Sequence, residues 1–238
     1  TIYSSEIRAN KYTPSTKDDV RIAALDNGTF VITWSSLSQD GDSDGIYGQI
    51  FDRDGSPLGS EFSVNTYTTN SQDWSSGTGL TDGGFVVTWH SSAQDGSSWG
   101  VYQQRYDAFG NRVGTEIQVN TTTNGAQFYP EVSGLQDGGW VVAWEDSNTN
   151  PDEIMFQIYN ADGPPRGGET QASGFVSGAS VSMPQVTTLN NGNFVVAYND
   201  FSSTIYHRVF DANGTPVTGE LISNDPSLGT QYYAEMIS

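Results

Sequence analysis

Carboxylates spaced for a hard cation are the first chemistry that this sequence offers. Asp40-Gly-Asp42-Ser-Asp44-Gly45 has the Asp-x-Asp-x-Asp-Gly spacing of a calcium loop. In such a loop alternate carboxylates project toward one centre, and the glycine permits the turn that wraps the ion. The pattern then departs. An EF-hand wants Glu at the twelfth position, where Phe51 stands, and the ninth position is Gly48. Calcium at Asp40, Asp42 and Asp44 would be completed by backbone oxygens such as that of Ile46 and by water. The expected dissociation constant is then roughly 10⁻⁴ to 10⁻³ M. The missing acid favours the competing reading, a solvated acidic loop.

A second pattern sets an aromatic ring two residues after an amide: Gln72 with Trp74, Gln127 with Tyr129, Gln231 with Tyr233. A ring can stack on the apolar face of a sugar while the amide bonds its hydroxyls. Gln72, Trp74, Gln127 and Tyr129 are therefore candidate ligand-binding residues, joined by Trp99, which stands at no repeated position. Rings that only pack against neighbouring strands are the bland alternative. Catalysis has less to stand on, and no catalytic residue is assigned. The two histidines, His90 and His207, lie far apart, and no His-Glu-x-x-His, nucleophile elbow or phosphate-cradling glycine loop occurs. A carboxylate pair for glycoside hydrolysis stays open, because its separation is a three-dimensional property.

The elements that must position these residues recur. Phe30-Val-Ile-Thr-Trp34 returns as Phe85-Val-Val-Thr-Trp89, Trp140-Val-Val-Ala-Trp144 and Phe194-Val-Val-Ala-Tyr198, at spacings of 55, 55 and 54 residues. Each block follows a Gly or Asn-Gly turn. Each precedes an alternating segment closed by a turn, such as Tyr47 to Gly55, and then a short strand carrying Glu-x-x-x-Asn, such as Glu61 to Asn65. In the third copy that motif degenerates to Glu169 and Ser173. An apolar segment leads back into the next block. Each unit thus holds four short strands, A to D, and strand B has no polar face, so it should be buried on both sides. Four-stranded units at this period predict an all-β chain, a β-propeller of four-stranded blades. A parallel β-solenoid would need shorter coils.

The whole chain, 1–238, reads as one repeat domain with units 19–72, 73–127, 128–182 and 183–230 and partial units 1–18 and 231–238. Ser5 to Asn10 matches strand D of a preceding unit, and Gln231 to Met236 matches strand A of a following one. Four blades with overlapping ends is the preferred closure; completion by a second chain also fits. Unpaired edges around Glu6–Asn10 and Tyr232–Met236 would then recruit a strand and could build a homo-oligomer. In an up-and-down blade the A–B and C–D turns share one end and the B–C and D–A connections the other. The B–C spans of 13, 13, 11 and 8 residues make that second end the variable one. Variable loops on a rigid scaffold are where binding usually resides.

These repeats, with Asp82-Gly-Gly-Phe-Val-Val-Thr-Trp89, the Gln-Asp-Gly elements and Gly-x-Glu-apolar-x-Val-Asn, resemble those of large secreted or surface bacterial proteins of the RTX and adhesin type. The resemblance covers nearly all of the chain. It implies a secreted or cell-surface location and calcium-rich surroundings, and it implies no reaction.

Composition bounds the partners. The chain carries 28 Asp+Glu against 9 Lys+Arg, a formal charge of −19, which argues strongly against nucleic acid as a partner and equally disfavours an anionic membrane surface. No run of 18 apolar residues exists, so no membrane insertion by a helix is expected. Cysteine is absent, which removes disulfides and thiolate chemistry. Thr1 opens no signal-peptide pattern, so an export signal would have been removed or lie upstream. The preferred function is an extracellular binding module, lectin-like or adhesive, that takes glycans at its variable end. The alternatives are a structural unit of a larger surface protein and a carbohydrate-active enzyme.

Overall fold

The computed structural model describes residues 6–174, 180–202 and 204–224, and among these residues there is no helix. The first sheet holds β1 (Lys17–Ala24), β2 (Phe30–Leu37), β3 (Asp44–Phe51) and β4 (Pro57–Ser63). The second holds β5 (Gln72–Gly79), β6 (Phe85–Ser92), β7 (Trp99–Tyr106) and β8 (Arg112–Gln118). The third holds β9 (Gln127–Gly134), β10 (Trp140–Asp146), β11 (Glu153–Tyr159) and β12 (Pro165–Gln171). The fourth holds β13 (Val181–Thr188), β14 (Phe194–Asp200), β15 (Ile205–Phe210) and the short β16 (Leu221–Ile222). Every sheet is an antiparallel meander in chain order. The sheets begin one or two residues before the repeat units read from sequence.

The four apolar blocks are the second strands β2, β6, β10 and β14, and each is mostly buried because each sheet lies between two others or closes an end of the row. In β6, Phe85, Val87 and Trp89 pack with Val31, Ile46 and Ile50 of the first sheet, while Val86 packs with Trp140 and Val142 of the third. The next junction repeats the scheme: Val141, Ile154 and Ile158 meet Phe194, Val196 and Tyr198. Successive residues of a strand point to opposite faces, so a strand serving two junctions needs apolar residues at both parities. Trp34, Trp89, Trp144 and Tyr198 are 2%, 0%, 1% and 0% exposed, as their shared position predicts.

Polar residues tie the same junctions at their outer corners. The Thr66 backbone N–H donates to Glu116 Oε2 at 2.6 Å and the Gly174 N–H to Glu220 Oε1 at 3.1 Å; Lys11 with Glu61 and Thr121 with Glu169 repeat the bond. An acid in each fourth strand, or just before it for Glu220, therefore holds the chain that leaves the preceding unit. The Asn of the same motif works within its sheet: Asn65 and Asn120 Oδ1 accept the Ile46 and Val101 N–H at 2.7 Å each. Ser173 Oγ takes the Ile154 N–H at 3.1 Å, so the degenerate third copy keeps the function with a shorter side chain.

The first strands β1, β5, β9 and β13 pack each on the next and form the inner wall of the row. β13 and β1, at its two ends, make no comparable packing contact, so the described sheets form an arc. The expected edge strand at Glu6–Asn10 is not formed. Among the described residues no strand pairs with it, although Asn10 makes the bond that Asn65 and Asn120 make to the carbonyl two residues on, Nδ2 to Tyr12 at 2.7 Å. Tyr232–Met236 and Gln231 lie outside the described residues. Among the described residues no helix is long and apolar enough to cross a membrane.

Candidate functional site

Each first strand carries a β-bulge where it pairs with the second, between Asp18 and Arg21, Asp73 and Ser76, Phe128 and Glu131, and Ser182 and Gln185. Within the bulges Asp19, Trp74, Tyr129 and Met183 have φ of 50, 54, 51 and 55°. Bulky residues rarely occupy this left-handed region, and a bulge re-aims the side chain it carries. Three of these four residues at one repeat position, Trp74, Tyr129 and Met183, are thereby brought to the inner wall, while Asp19 stays beside it, close to Asp73, Arg21 and His90. That wall borders an open-sided cavity of about 720 Å³ lined only by the four first strands, with Trp74, Tyr129 and Met183 at its variable-loop end.

Around this mouth the rings of the second and third sheets gather. Trp74 and Tyr129 meet edge to face at 4.8 Å, and Trp99 meets His90 in the same manner at 4.7 Å. Phe128 lies 6.1 Å from Trp99 and 5.7 Å from His90. His90 is 5% exposed and locks the group together. Its Nδ1 accepts the Tyr129 backbone N–H at 3.3 Å, which leaves the proton on Nε2 to be donated to Asp73 Oδ1. Trp74, Trp99, Phe128 and Tyr129 are half-buried, and of these rings Trp74 and Tyr129 line the cavity. The Arg21 guanidinium sits 5.4 Å from the Trp74 ring. Two residues deeper, Glu131 accepts hydrogen bonds from Ser76 Oγ at 2.8 Å and Gln185 Nε2 at 3.3 Å, and it lines the cavity. Burial, then the Asp73 charge, pushes the Asp19 and Asp44 carboxyls above their ordinary range.

The structure brings together Trp74, Trp99 and Tyr129 and separates them from the two glutamines. Gln72 and Gln127 are 0% exposed. Gln72 Oε1 accepts from Asn65 at 3.1 Å and its Nε2 donates to the Thr69 carbonyl at 3.0 Å. Gln127 bonds Asn120 at 2.9 Å, the Asn124 carbonyl at 3.1 Å and Asp146 at 3.2 Å. Both amides are spent inside the fold, so they present nothing to a ligand. Strand alternation explains it: residues two apart share a face only in a regular strand, and the bulge breaks that rule between amide and ring.

The three loop carboxylates do not converge either. Asp40 Oδ1 accepts the Asp42 N–H at 3.3 Å, Asp42 Oδ2 accepts the Asn70 N–H at 2.9 Å, and Asp44 already belongs to β3 on the side of Asp73. The Ile46 carbonyl accepts the Val64 N–H at 2.7 Å. Among the described residues no three His, Asp or Glu side chains are grouped to hold a metal ion. Extension of the chain into β3 directs these carboxylates to separate partners. Sequence reasoning missed His90, Asp73, Phe128 and Glu131 as site residues. One signal was available for His90: it replaces Ser35, Glu145 and Asn199 at its repeat position.

Four-stranded meanders set side by side around an inner cavity, with aromatic residues at its loop-rich end, define a β-propeller-type protein. The solved structures that it resembles have that fold. A protein of unknown function from Dyadobacter fermentans matches with a TM-score of 0.65 at 10% identity, over 87% of this chain and 69% of that one. The GH93 α-L-arabinofuranosidase of Fusarium graminearum in complex with arabinobiose matches with a TM-score of 0.62 at 13% identity, over 90% and 69%. The α-L-arabinanase of Penicillium chrysogenum complexed with arabinobiose matches with a TM-score of 0.58 at 16% identity, over 85% and 66%. The chain thus spans about two thirds of these neighbours. No protein-family model and no curated protein matches the sequence. The likeness to RTX-type and adhesin repeats gains no support from these comparisons.

Proposed function

We propose that this protein is an extracellular carbohydrate-binding propeller that takes a sugar chain at the aromatic mouth of its inner cavity. The observation that carries this reading is the pair of half-buried rings, Trp74 and Tyr129, brought from two sheets to one end of that cavity, with Trp99 joined to them through His90. Sugars present apolar C–H faces that rings bind, and hydroxyls that Glu131, Ser76 and Arg21 can bond. The fold is shared with proteins whose structures hold arabinobiose, which supports the class of ligand without naming it. Titration calorimetry with arabinan, xylan, galactan and glucan oligosaccharides tests it. Binding by wild type and at least tenfold weaker binding by Trp74→Ala, with an unchanged far-ultraviolet spectrum, is expected. Equal affinity in the two proteins would overturn it.

A second reading, a carbohydrate-active enzyme, is favoured by Glu131 alone, a carboxylate held by two donors in the cavity wall. Glycoside hydrolysis needs a second carboxyl group across the bond, and Asp19 and Asp73 are the acids at the same mouth. Turnover of an oligosaccharide that Glu131→Gln abolishes, with binding retained, would establish it.

A further inference from the structure

Acids and rings share the mouth, and their arrangement bears on the sugar it accepts. Asp19 occupies the same bulge position as Trp74 and Tyr129, in the same left-handed conformation. Asp73 immediately precedes Trp74 and is fixed beside the rings by its bond to His90 Nε2. Glu131 lines the cavity below them. Arg21 is the one cation among the residues lining the cavity; its guanidinium lies over the Trp74 ring and donates to the Val20 carbonyl at 3.2 Å.

We propose that this mouth selects uncharged sugar chains and rejects chains bearing carboxylates, with Asp19 and Asp73 as the residues that set the selectivity. The inference rests on the carbohydrate-binding reading. A sugar carboxylate at Trp74 would meet the two aspartates against the single positive charge of Arg21, which Asp19 already faces, in a half-enclosed space where screening by water is weak. The hydroxyls of an uncharged chain instead donate to those same carboxylates, and each such bond is charge-assisted. Burial first, and the Asp73 charge second, raise the Asp19 and Asp44 carboxyls, so the space beside them already solvates negative charge poorly. The whole-molecule charge of −19 acts in the same direction at longer range and also slows the approach of an acidic ligand.

The experiment compares galactan and glucan oligosaccharides with the same chains oxidised to the carboxylate at C6, by calorimetry at low and at high salt. The expected result is binding of the parent chains, at least tenfold weaker binding of the oxidised ones at low salt, and a smaller gap at high salt. Asp19→Asn, and Asp19→Asn combined with Asp73→Asn, should weaken binding of the parent chain, which loses its charge-assisted bonds, yet narrow the gap between parent and oxidised chains to within about threefold, a change in ratio that a purely structural role would not produce. Because the double variant removes the partner of His90, the single variant decides if the double fails to fold. Oxidised chains that bind wild type as well as the parents do would overturn the selectivity, and the platform reading would stand if Trp74→Ala still lost both. If no chain in either set binds wild type, the platform reading itself fails and this inference with it.

Discussion

Carboxyl groups of this acidic chain fall into two sets, and the sets pull stability in opposite directions with pH. Asp54 and Asp211 lie in turns, where backbone N–H groups of Ser56 and Thr215 hold them below the ordinary carboxylate range. Burial pushes Asp107 and Asp200 upward, but hydrogen bonds from Asn111 and from Thr204 and Ser202 overcome it and leave both lowered. Asp19, Asp44, Glu145 and Glu153 are raised, in each case first by burial. A raised acid binds its proton more tightly when folded, so its contribution grows as pH falls from neutrality and is complete below its unfolded value. A lowered acid contributes above its unfolded value and loses that contribution as pH falls through its folded one. Thermal melts between pH 7 and pH 3 should therefore show stability rising to a maximum near the ordinary carboxylate values, about pH 4–5, and then collapsing. A melting temperature that falls steadily from pH 7 to pH 5 would contradict this account.

At the scale of elements, the turns and bulges decide where side chains go. The Gly-Gly pair before β10 shows the demand plainly. Gly138 has φ of 87°, which a glycine adopts without penalty, and a Cβ on Gly139 would stand 2.3 Å from the Tyr159 carbonyl oxygen. Backbone cannot yield as a flexible side chain can. Gly139→Ala should therefore lower stability by about 1–3 kcal/mol, read from urea unfolding. Gly168→Ala is the control, since nothing lies within 4 Å of its added carbon; a loss of equal size there would sink the close-approach argument. The bulges are the functional counterpart of these turns. They move Trp74 and Tyr129 off the regular alternation and onto the cavity mouth, while Gln72 and Gln127 stay in the sheet.

Across the whole molecule the same repeat position meets different surroundings. Phe85 and Phe30 both begin an apolar block and both stack on an aromatic partner, Tyr106 at 4.8 Å and Phe51 at 5.2 Å. Phe85 is also covered by the first sheet and is 0% exposed, whereas Phe30 faces the open end of the arc and is only partly buried. The first strand shows the same gradient: Ile22 is 68% exposed and its counterpart Val132 is 7% exposed. Phe85→Ala should cost about 3–5 kcal/mol and Phe30→Ala roughly half of that or less, because the cavity term requires a closed site. Chemical denaturation of the two variants checks it. Equal losses would mean that the first sheet's outer face is as fully covered as the inner junctions.

The sequence by itself determined the all-β class, the four units and the four buried blocks, because hydrophobic periodicity and turn residues are local signals and recurrence multiplies them. It also placed the rings at the variable end, since an antiparallel meander leaves no other place for those connections. Which residues meet there was decided by tertiary structure. The adjacency of His90 to Tyr129 and of Trp74 to Tyr129 crosses from one sheet to the next, over separations of 39 residues for the hydrogen bond and 55 for the rings, and no local pattern encodes such a contact. The same holds for the glutamines and the loop aspartates, whose spacing suggested ligand chemistry. A bulge buried the two glutamines, whose amides are bonded inside the fold, and the early start of β3 set the three aspartates apart from one another.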